Sequence, residues 1–286
     1  MTGTREVPFT KFHALGNDFI AAHAEDLPDD LEGFARAITD RHMGIGADGL
    51  LAVSPPRPPK RLARVRFFNA DGSEAEMSGN GIRCAAAFLS TERPEKFLIE
   101  TASGIKTLEP LSARKRGGRE QWVFRVEMGE PILAPAKIPF KGMKSKGPVV
   151  GFPLRTSRGV LPVTVVSMGN PHCTVPVSDF AGIDWRRLGK EIERHAYFPK
   201  RTNVEFVKVI SKREIEVRFW ERGAGETLAS GTGSCGATVA CILNGLVGRT
   251  VRVRTKVGEL EVRWPKNKAV SLTGEVELIG RGIYYG

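Results

Sequence analysis

The chain has 286 residues, 41% of them apolar and 26% charged, with 43 Lys and Arg against 32 Asp and Glu for a formal net charge of +11. That length suffices for two domains of ordinary size, and no apolar run approaches the roughly 18 residues of a helical membrane span. Cys84, Cys173, Cys235 and Cys241 show no CxxC spacing, which excludes a disulfide framework, and the N-terminal MTGTREVPFTKF lacks a secretory pattern, so a cytoplasmic protein without a membrane partner is expected.

The positive charge is densest in RPPKRLARVR, ARKRGGRE and KGMKSKG. Each run contains Pro or Gly and reads as loop or hairpin, with few interleaved aromatics. No helix-turn-helix, zinc-finger or RNA-binding signature accompanies them. The charge is read as a solvated basic exterior, not as a nucleic-acid footprint.

In chain order, residues 7–22 (VPFTKFHALGNDFIAA) read as two short strands around a Gly-Asn turn. Leu31, Phe34, Ala35 and Ile38 recur at helical spacing, so an amphipathic helix is expected over roughly 29–42, with Asp29 or Asp30 as N-cap. GIGADGLLAV is a Gly-rich turn into an apolar strand, and SPPRPPK is a surface loop. ARVRFFNA is a strand. It runs into ADGSEAEMSGNG, and IRCAAAFLST then reads as a short helix of small residues suited to burial. KFLIETA, IKTLEPL and QWVFRVEM are strands joined by turns. A seam rich in Pro and Lys, PILAPAKIPFKGMKSKGP, places a domain boundary near residue 130.

The second half repeats the first. VTVVSMGNPHCTVPV is again strand, Gly-Asn turn, strand, and Trp185, Leu188 and Ile192 mark a counterpart helix. TNVEFVKVI and EIEVRFW are strands, GSCGATVACILNG is a helix, and TVRVRTKVGELEVRW is a hairpin. VRFFNADGSEAEMSGNG (Val65 to Gly81) lies over VRFWERGAGETLASGTG (Val217 to Gly233) without a gap. The expected fold is therefore α+β, two pseudo-symmetric halves of mainly antiparallel strands, each wrapped around a central helix. The first half covers residues 1–130, completed by the C-terminal strand 275–286, and the second covers 131–274.

Each copy of the repeat ends in Ser-Gly-x-Gly opening a helix, which sets Ser78 and Ser230 beside backbone N–H groups at a helix N-terminus. Two such copies can approach one small molecule from opposite sides. That is the arrangement needed to take a proton from one face of a carbon and return it on the other. Asn69 and Glu221 fall nine residues before their serines, and Glu74 and Glu226 four before. Gly16-Asn17 and Gly169-Asn170 form a third matched pair. Any one such Asn can be a plain turn residue, but several around two helix starts supply the convergent polar groups a small ligand needs.

Other chemistries find little support. Neither SGNG nor SGTG leads into GK[ST], as a P-loop would. The five histidines show no HExxH or close pairing, so no metal site is expected. A serine hydrolase using His172 as base has no GxSxG elbow to support it.

The segments GNDF, GIGADG, FFNADGSEAEM-GNGIRCAAAF, GNPH, TNVEF and WERGAGETLA-GTG resemble the diaminopimelate epimerase family, in order and spacing from about Phe9 to Gly280. The resemblance implies a cofactor-independent enzyme that interconverts LL- and meso-2,6-diaminoheptanedioate in lysine and peptidoglycan synthesis. It further implies two halves with the active site in a cleft, and a homodimer. Carried over by motif, Asn17, Asn69, Asn170 and Asn203 resemble substrate-contacting asparagines. Gly79-Asn80 and Gly231-Thr232 resemble backbone cradles for the reacting α-carboxylate. Glu221-Arg222 resembles a pair holding charged groups of the substrate, and His172 and Glu221 resemble the residues that tune the two acid/base groups.

One departure stands out, because the family has Cys where this chain has Ser78 and Ser230. An alcohol is a far weaker acid than a thiol of pKa about 8.5, so a slow or inactive, substrate-binding form is expected. Cys84 and Cys235, inside the helices, are not taken as substitute bases. The serines are open to two explanations, deliberate replacement or natural divergence with altered chemistry, and the gene's codons for the two positions separate them. A relative acting on another amino acid and a non-catalytic binding module remain alternative readings.

Overall fold

The computed structural model describes residues 5–55, 62–90, 96–143, 147–266 and 268–286, and most of the expected SPPRPPK loop lies outside them. Described residues of the basic runs therefore exclude 57–61 and 144–146. The chain divides into two units, Met1–Val126 with Thr273–Gly286, and Glu127–Leu272.

In the first unit, β1 (Glu6–Ala14) and β2 (Asn17–His23) form an antiparallel hairpin around Leu15 and Gly16. α1 (Leu31–Thr39) follows, with the Asp30 carboxylate accepting from Gly33 N at 2.9 Å. It stops short of the expected residue 42 because Asp40 turns its carboxylate onto the backbone N–H groups of His42 and Met43, both at 2.7 Å. Such local side-chain bonding competes with helix continuation. The crossover delivers β3 (Gly49–Ser54) parallel to β2, and β4 (Leu62–Asn69) returns antiparallel to β3. The short β5 (Glu74–Ala75) folds back on β4.

α2 (Gly79–Ser90) then carries the chain to β6 (Phe97–Thr101), which pairs parallel with β4. β7 (Gly104–Arg116) and β8 (Arg119–Gly129) form an antiparallel hairpin whose turn, Gly117-Gly118, has both φ angles positive at 58° and 80°. The C-terminal strand pairs antiparallel with β1, from Glu6↔Tyr285 to His13↔Glu277. Every residue of α2 except Phe88 is buried. Its small side chains let β1 to β4 approach closely, and with α1 against β3 and β4 the strand β3 is buried on both faces. That explains the uninterrupted apolar run GLLAV. Ile20, Ala35, Ile38, Leu50 and Phe68 are at the heart of this core.

The second unit repeats the order. β9 (Val149–Thr156) and β10 (Gly159–Ser167) are antiparallel, and β11 (Pro171–Pro176) turns back on β10. α3 (Trp185–Glu193) is capped by Asp184, which accepts from Arg187 N at 3.1 Å, and buries Trp185, Leu188 and Ile192. β12 (Asn203–Ser211) pairs parallel with β11, and β13 (Glu214–Glu221) antiparallel with β12. β14 (Gly225–Thr227) folds back on β13, as β5 does on β4. The second buried helix, α4 (Gly231–Leu243), leads to β15 (Thr250–Arg254), parallel to β13, then β16 (Glu259–Arg263) and β17 (Val270–Tyr285), the C-terminal strand already described.

The α+β class and the repeated half are as the sequence indicates. The strands are mainly but not purely antiparallel: among the described residues each unit has a parallel pairing across its outer helix and another across its buried helix. Among the described residues, no helix is long and apolar enough to cross a membrane.

Candidate active-site residues

Both buried helices begin on a serine whose side chain caps them. Ser78 Oγ accepts from Gly81 N at 3.1 Å, and Ser230 Oγ accepts from Gly233 N at 3.2 Å. Ser is among the best residues at this position because its oxygen satisfies one of the N–H groups a helix start leaves open. The closing glycines of SGNG and SGTG follow from the same geometry. A Cβ on Gly233 would stand 2.9 Å from Ser230 Oγ and 2.9 Å from the Phe219 ring, and one on Gly81 would stand 3.1 Å from Ser78 Cβ. Removing either cap, as Ser78→Ala or Ser230→Ala, should lower stability by about 1 kcal/mol, read as a lower urea midpoint at unchanged m-value.

In the first unit, Asn17, Ser78, Gly79 and Asn80 come together. Asn80 Nδ2 donates to Asn17 Oδ1 at 3.1 Å, and Asn17 Nδ2 donates to Asp48 Oδ2 at 2.7 Å. Beneath them the fully buried Arg83 donates through Nη2 to Asn80 Oδ1 at 2.8 Å and through Nη1 to Gly79 O at 3.0 Å. Asp18, next to Asn17, faces Lys11 at 3.1 Å and Arg41 at 2.8 Å. Burial would raise its carboxyl, but the two cations outweigh it and hold the group below its ordinary value. Asn69 is placed differently. It is exposed at the end of β4 and donates to Ser73 Oγ at 2.9 Å within its own turn, the contact of a turn residue.

In the second unit, Asn170, His172, Ser230, Gly231 and Thr232 come together. His172 Nε2 lies 2.9 Å from Asn170 Oδ1, and Asn170 Nδ2 is 3.5 Å from Thr232 Oγ1. His172 Nδ1 lies 2.6 Å from Glu205 Oε1. Asn203 is largely committed to backbone, with Nδ2 donating to Pro171 O and Oδ1 accepting from Arg222 N, both at 2.9 Å. It ties the turn beside His172 to the β13–β14 hairpin. Glu221 accepts from Thr227 Oγ1 at 3.1 Å, while the exposed Arg222 donates to Lys200 O at 3.3 Å.

The matched glutamates go elsewhere. Glu74 pairs with Arg66 at 2.7 Å, and Glu226 pairs with Arg186 at 2.5 Å and also with Lys256. These are half-exposed ion pairs of small energetic weight. Cys84, inside α2, is a poor candidate for a base. Burial pushes Cys84 up to about 12 despite Arg83 beside it. Burial likewise raises Cys173, next to Glu205. Among the described residues, no group of three or more His, Cys, Asp or Glu is arranged to hold a metal ion.

Three residues that lie within the quoted motifs but receive no role from them join these networks: Asp48, Arg83 and Glu205. A signal existed for two of them. Arg83 is the one charge in a helix otherwise of small and apolar residues, and Glu205 is the one charge in the apolar run NVEFV.

The family profile described as Diaminopimelate epimerase matches residues 9–133 and 164–279. A diaminopimelate epimerase of Pelotomaculum thermopropionicum is 45% identical over 282 residues, covering 96% of this chain and 98% of that protein. One of Moorella thermoacetica is 44% identical over the same shares. Among solved structures, a hydroxyproline epimerase from Agrobacterium vitis aligns with a TM-score of 0.66 at 17% identity, covering 100% of this chain and 92% of that one. A PhzF-family phenazine biosynthesis protein from Bacillus anthracis aligns with a TM-score of 0.66 at 15% identity over 97% and 98% of the two chains, and at such identities the likeness is one of fold. Fold, repeat and sequence thus agree that the chain belongs to the diaminopimelate epimerase family of isomerases.

Proposed function

We propose that the chain carries the site of a cofactor-independent epimerase that interconverts LL- and meso-2,6-diaminoheptanedioate, in a form slowed by serine at positions 78 and 230. The observation that carries this reading is the 45% identity to a diaminopimelate epimerase over 96% of the chain, with the serine-capped helix start present in both halves. The reading includes a homodimer in the cytoplasm and no nucleic-acid partner.

In the proposed reaction, the group at one of the two positions takes the α-proton, leaving a carbanion conjugated with the substrate carboxylate. The group at the other position donates a proton to the opposite face, so configuration inverts and the proton count is unchanged. Backbone N–H groups of Gly79, Asn80, Gly231 and Thr232 are assigned to the carboxylate, where helix N-termini favour negative charge. Asn17, Asn69, Asn170, Asn203, Glu221 and Arg222 are assigned to the rest of the substrate. His172 and Glu221 are assigned to tuning the acid/base pair.

Binding and turnover separate in this proposal. Diaminopimelate should raise the melting temperature by about 5 °C when present at a hundredfold over its Kd. In deuterated water the LL isomer should acquire little α-deuterium. Stabilisation by another amino acid but not by diaminopimelate would move the site to a different substrate. Rapid α-exchange by the unaltered chain would refute the role given to the serines.

A further inference from the structure

Glu205 is a buried acid with no part in the scheme above. It sits on β12 with 1% of its side chain exposed, and the His172 ring it meets is fully buried. Its Oε1 is 2.6 Å from His172 Nδ1, while Oε2 is buried with no hydrogen-bond partner among the described residues. The opposite ring nitrogen, Nε2, is 2.9 Å from Asn170 Oδ1. Gly236 of α4 lets the helix pack directly on this residue, since a Cβ there would stand 2.9 Å from His172 Cβ and Cγ.

An amide oxygen opposite Nε2 requires a proton on Nε2. Nδ1 and Glu205 then share one further proton, either as imidazolium facing carboxylate or as neutral imidazole facing carboxylic acid. Both arrangements leave the pair without net charge, which is what a dry site tolerates. Burial, countered in part by His172 and reinforced by the charge of Glu221, holds the Glu205 carboxyl above the ordinary range. Glu221 and the buried thiol Cys173 are ionisable neighbours of Glu205.

We propose that Glu205 is a positioning residue that pins His172 with its Nε2–H on Asn170 Oδ1, so that the Asn170 amide presents its NH2 toward Thr232 at the start of α4. The first unit shows the same pair of places wired in reverse. There Arg83 occupies Asn80 Oδ1 and Asp48 takes the Asn17 N–H, so Asn80 on the helix donates to Asn17 on the turn. In the second unit Asn170 on the turn donates toward Thr232 on the helix. Two halves alike in fold therefore run the turn-to-helix hydrogen bond beside their acid/base positions in opposite directions, with a buried cation behind one and a net-neutral His–Glu pair behind the other. Glu205 sets the polarity of the second. The wiring stands by itself, and only its kinetic consequence rests on the proposed activity.

The test is 15N NMR of histidine-labelled protein, with His172 assigned by its loss in His172→Gln. In the unaltered chain the His172 Nε2 resonance should be that of a protonated nitrogen, with Nδ1 the nitrogen that faces Glu205. Glu205→Gln should keep that tautomer, since its amide can donate to Nδ1, and Glu205→Leu should lose it. An unaltered chain whose His172 carries Nδ1–H and a bare Nε2 overturns the proposal, as does a Glu205→Leu spectrum identical to the parent's. In protein with cysteine restored at 78 and 230, Glu205→Leu should lower kcat by about 10²-fold with a smaller change in KM, and Glu205→Gln should recover most of it. Unchanged kcat in the Leu variant also overturns it. Should the Leu variant fail to fold, the unaltered chain and the Gln variant still decide. An inert cysteine-restored protein with the expected His172 spectrum would sink the proposed function and leave the wiring intact.

Discussion

Ser78→Cys combined with Ser230→Cys should raise α-deuterium incorporation into LL-diaminopimelate by about 10³-fold or more, since one positioned acid–base group supplies about 10² to 10⁴. Either substitution alone should leave the rate near its starting level. A two-sided exchange needs a competent base on one face and a competent acid on the other, and groups that act as a unit are strongly non-additive. The thiol gains because its pKa of about 8.5 falls further beside a helix N-terminus. Both positions abut such a terminus, with Gly81 N and Gly233 N pointing at the side-chain oxygens.

The same contacts predict a penalty. Serine caps each helix well, and a thiol is a weaker acceptor, so the restored protein should be less stable by up to about 1 kcal/mol per site. Faster exchange with lower stability would identify serine as the choice that favours the scaffold over the reaction. Mass spectrometry of product formed in deuterated water reads the first quantity, and urea unfolding reads the second. A single substitution as active as the double would remove the two-base scheme.

The repeat was legible because its spacing is long and gapless. Once Val65–Gly81 is laid over Val217–Gly233, the places of Ser78 and Ser230 before buried helices follow from local capping and small-residue content. The neighbourhood of Asn17 with Asn80, and of Asn170 with Thr232, was legible only as matched positions. What joins them is long-range pairing. Asn17 reaches Asn80 across 63 positions, and His172 reaches Glu205 across 33 through the parallel β11–β12 pairing. Periodicity gives no register for a parallel crossover pair, so Glu205 reads from sequence as a misplaced polar residue in an apolar strand. Asn69 shows the opposite limit. Its place in the repeat matches Glu221, yet its side chain closes a local turn on Ser73, a role any Asn at a strand end can take. The end of α1 departs from its apolar spacing for a related reason. Apolar spacing continues the helix, but Asp40 ends it by bonding its own next turn.

Arg83→Met should lower stability by about 2–4 kcal/mol, with Arg83→Lys falling between Met and the parent. The guanidinium is fully buried, and two of its N–H groups go to Asn80 Oδ1 and Gly79 O. Methionine fills much of the stem's volume but leaves the Asn80 oxygen, in a residue only 4% exposed, without that donor. An unsatisfied buried acceptor costs about 1–3 kcal/mol, and the lost contacts of the guanidinium head add to it. Relief from burying a cation works the other way, which keeps the expected loss below the sum of these terms. Lysine restores the charge but not the planar fork that reaches two acceptors at once. A second consequence separates this from simple loss of packing. With Arg83 gone, the Asn80 amide is free to turn over, so the direction of donation between Asn80 and Asn17 is no longer fixed. The side-chain NH2 resonances of both asparagines should then move together in 15N spectra while those of distant asparagines stay in place. A Met variant as stable as the parent, with the Asn17 and Asn80 resonances unmoved, would show that Arg83 has no part in holding the helix start.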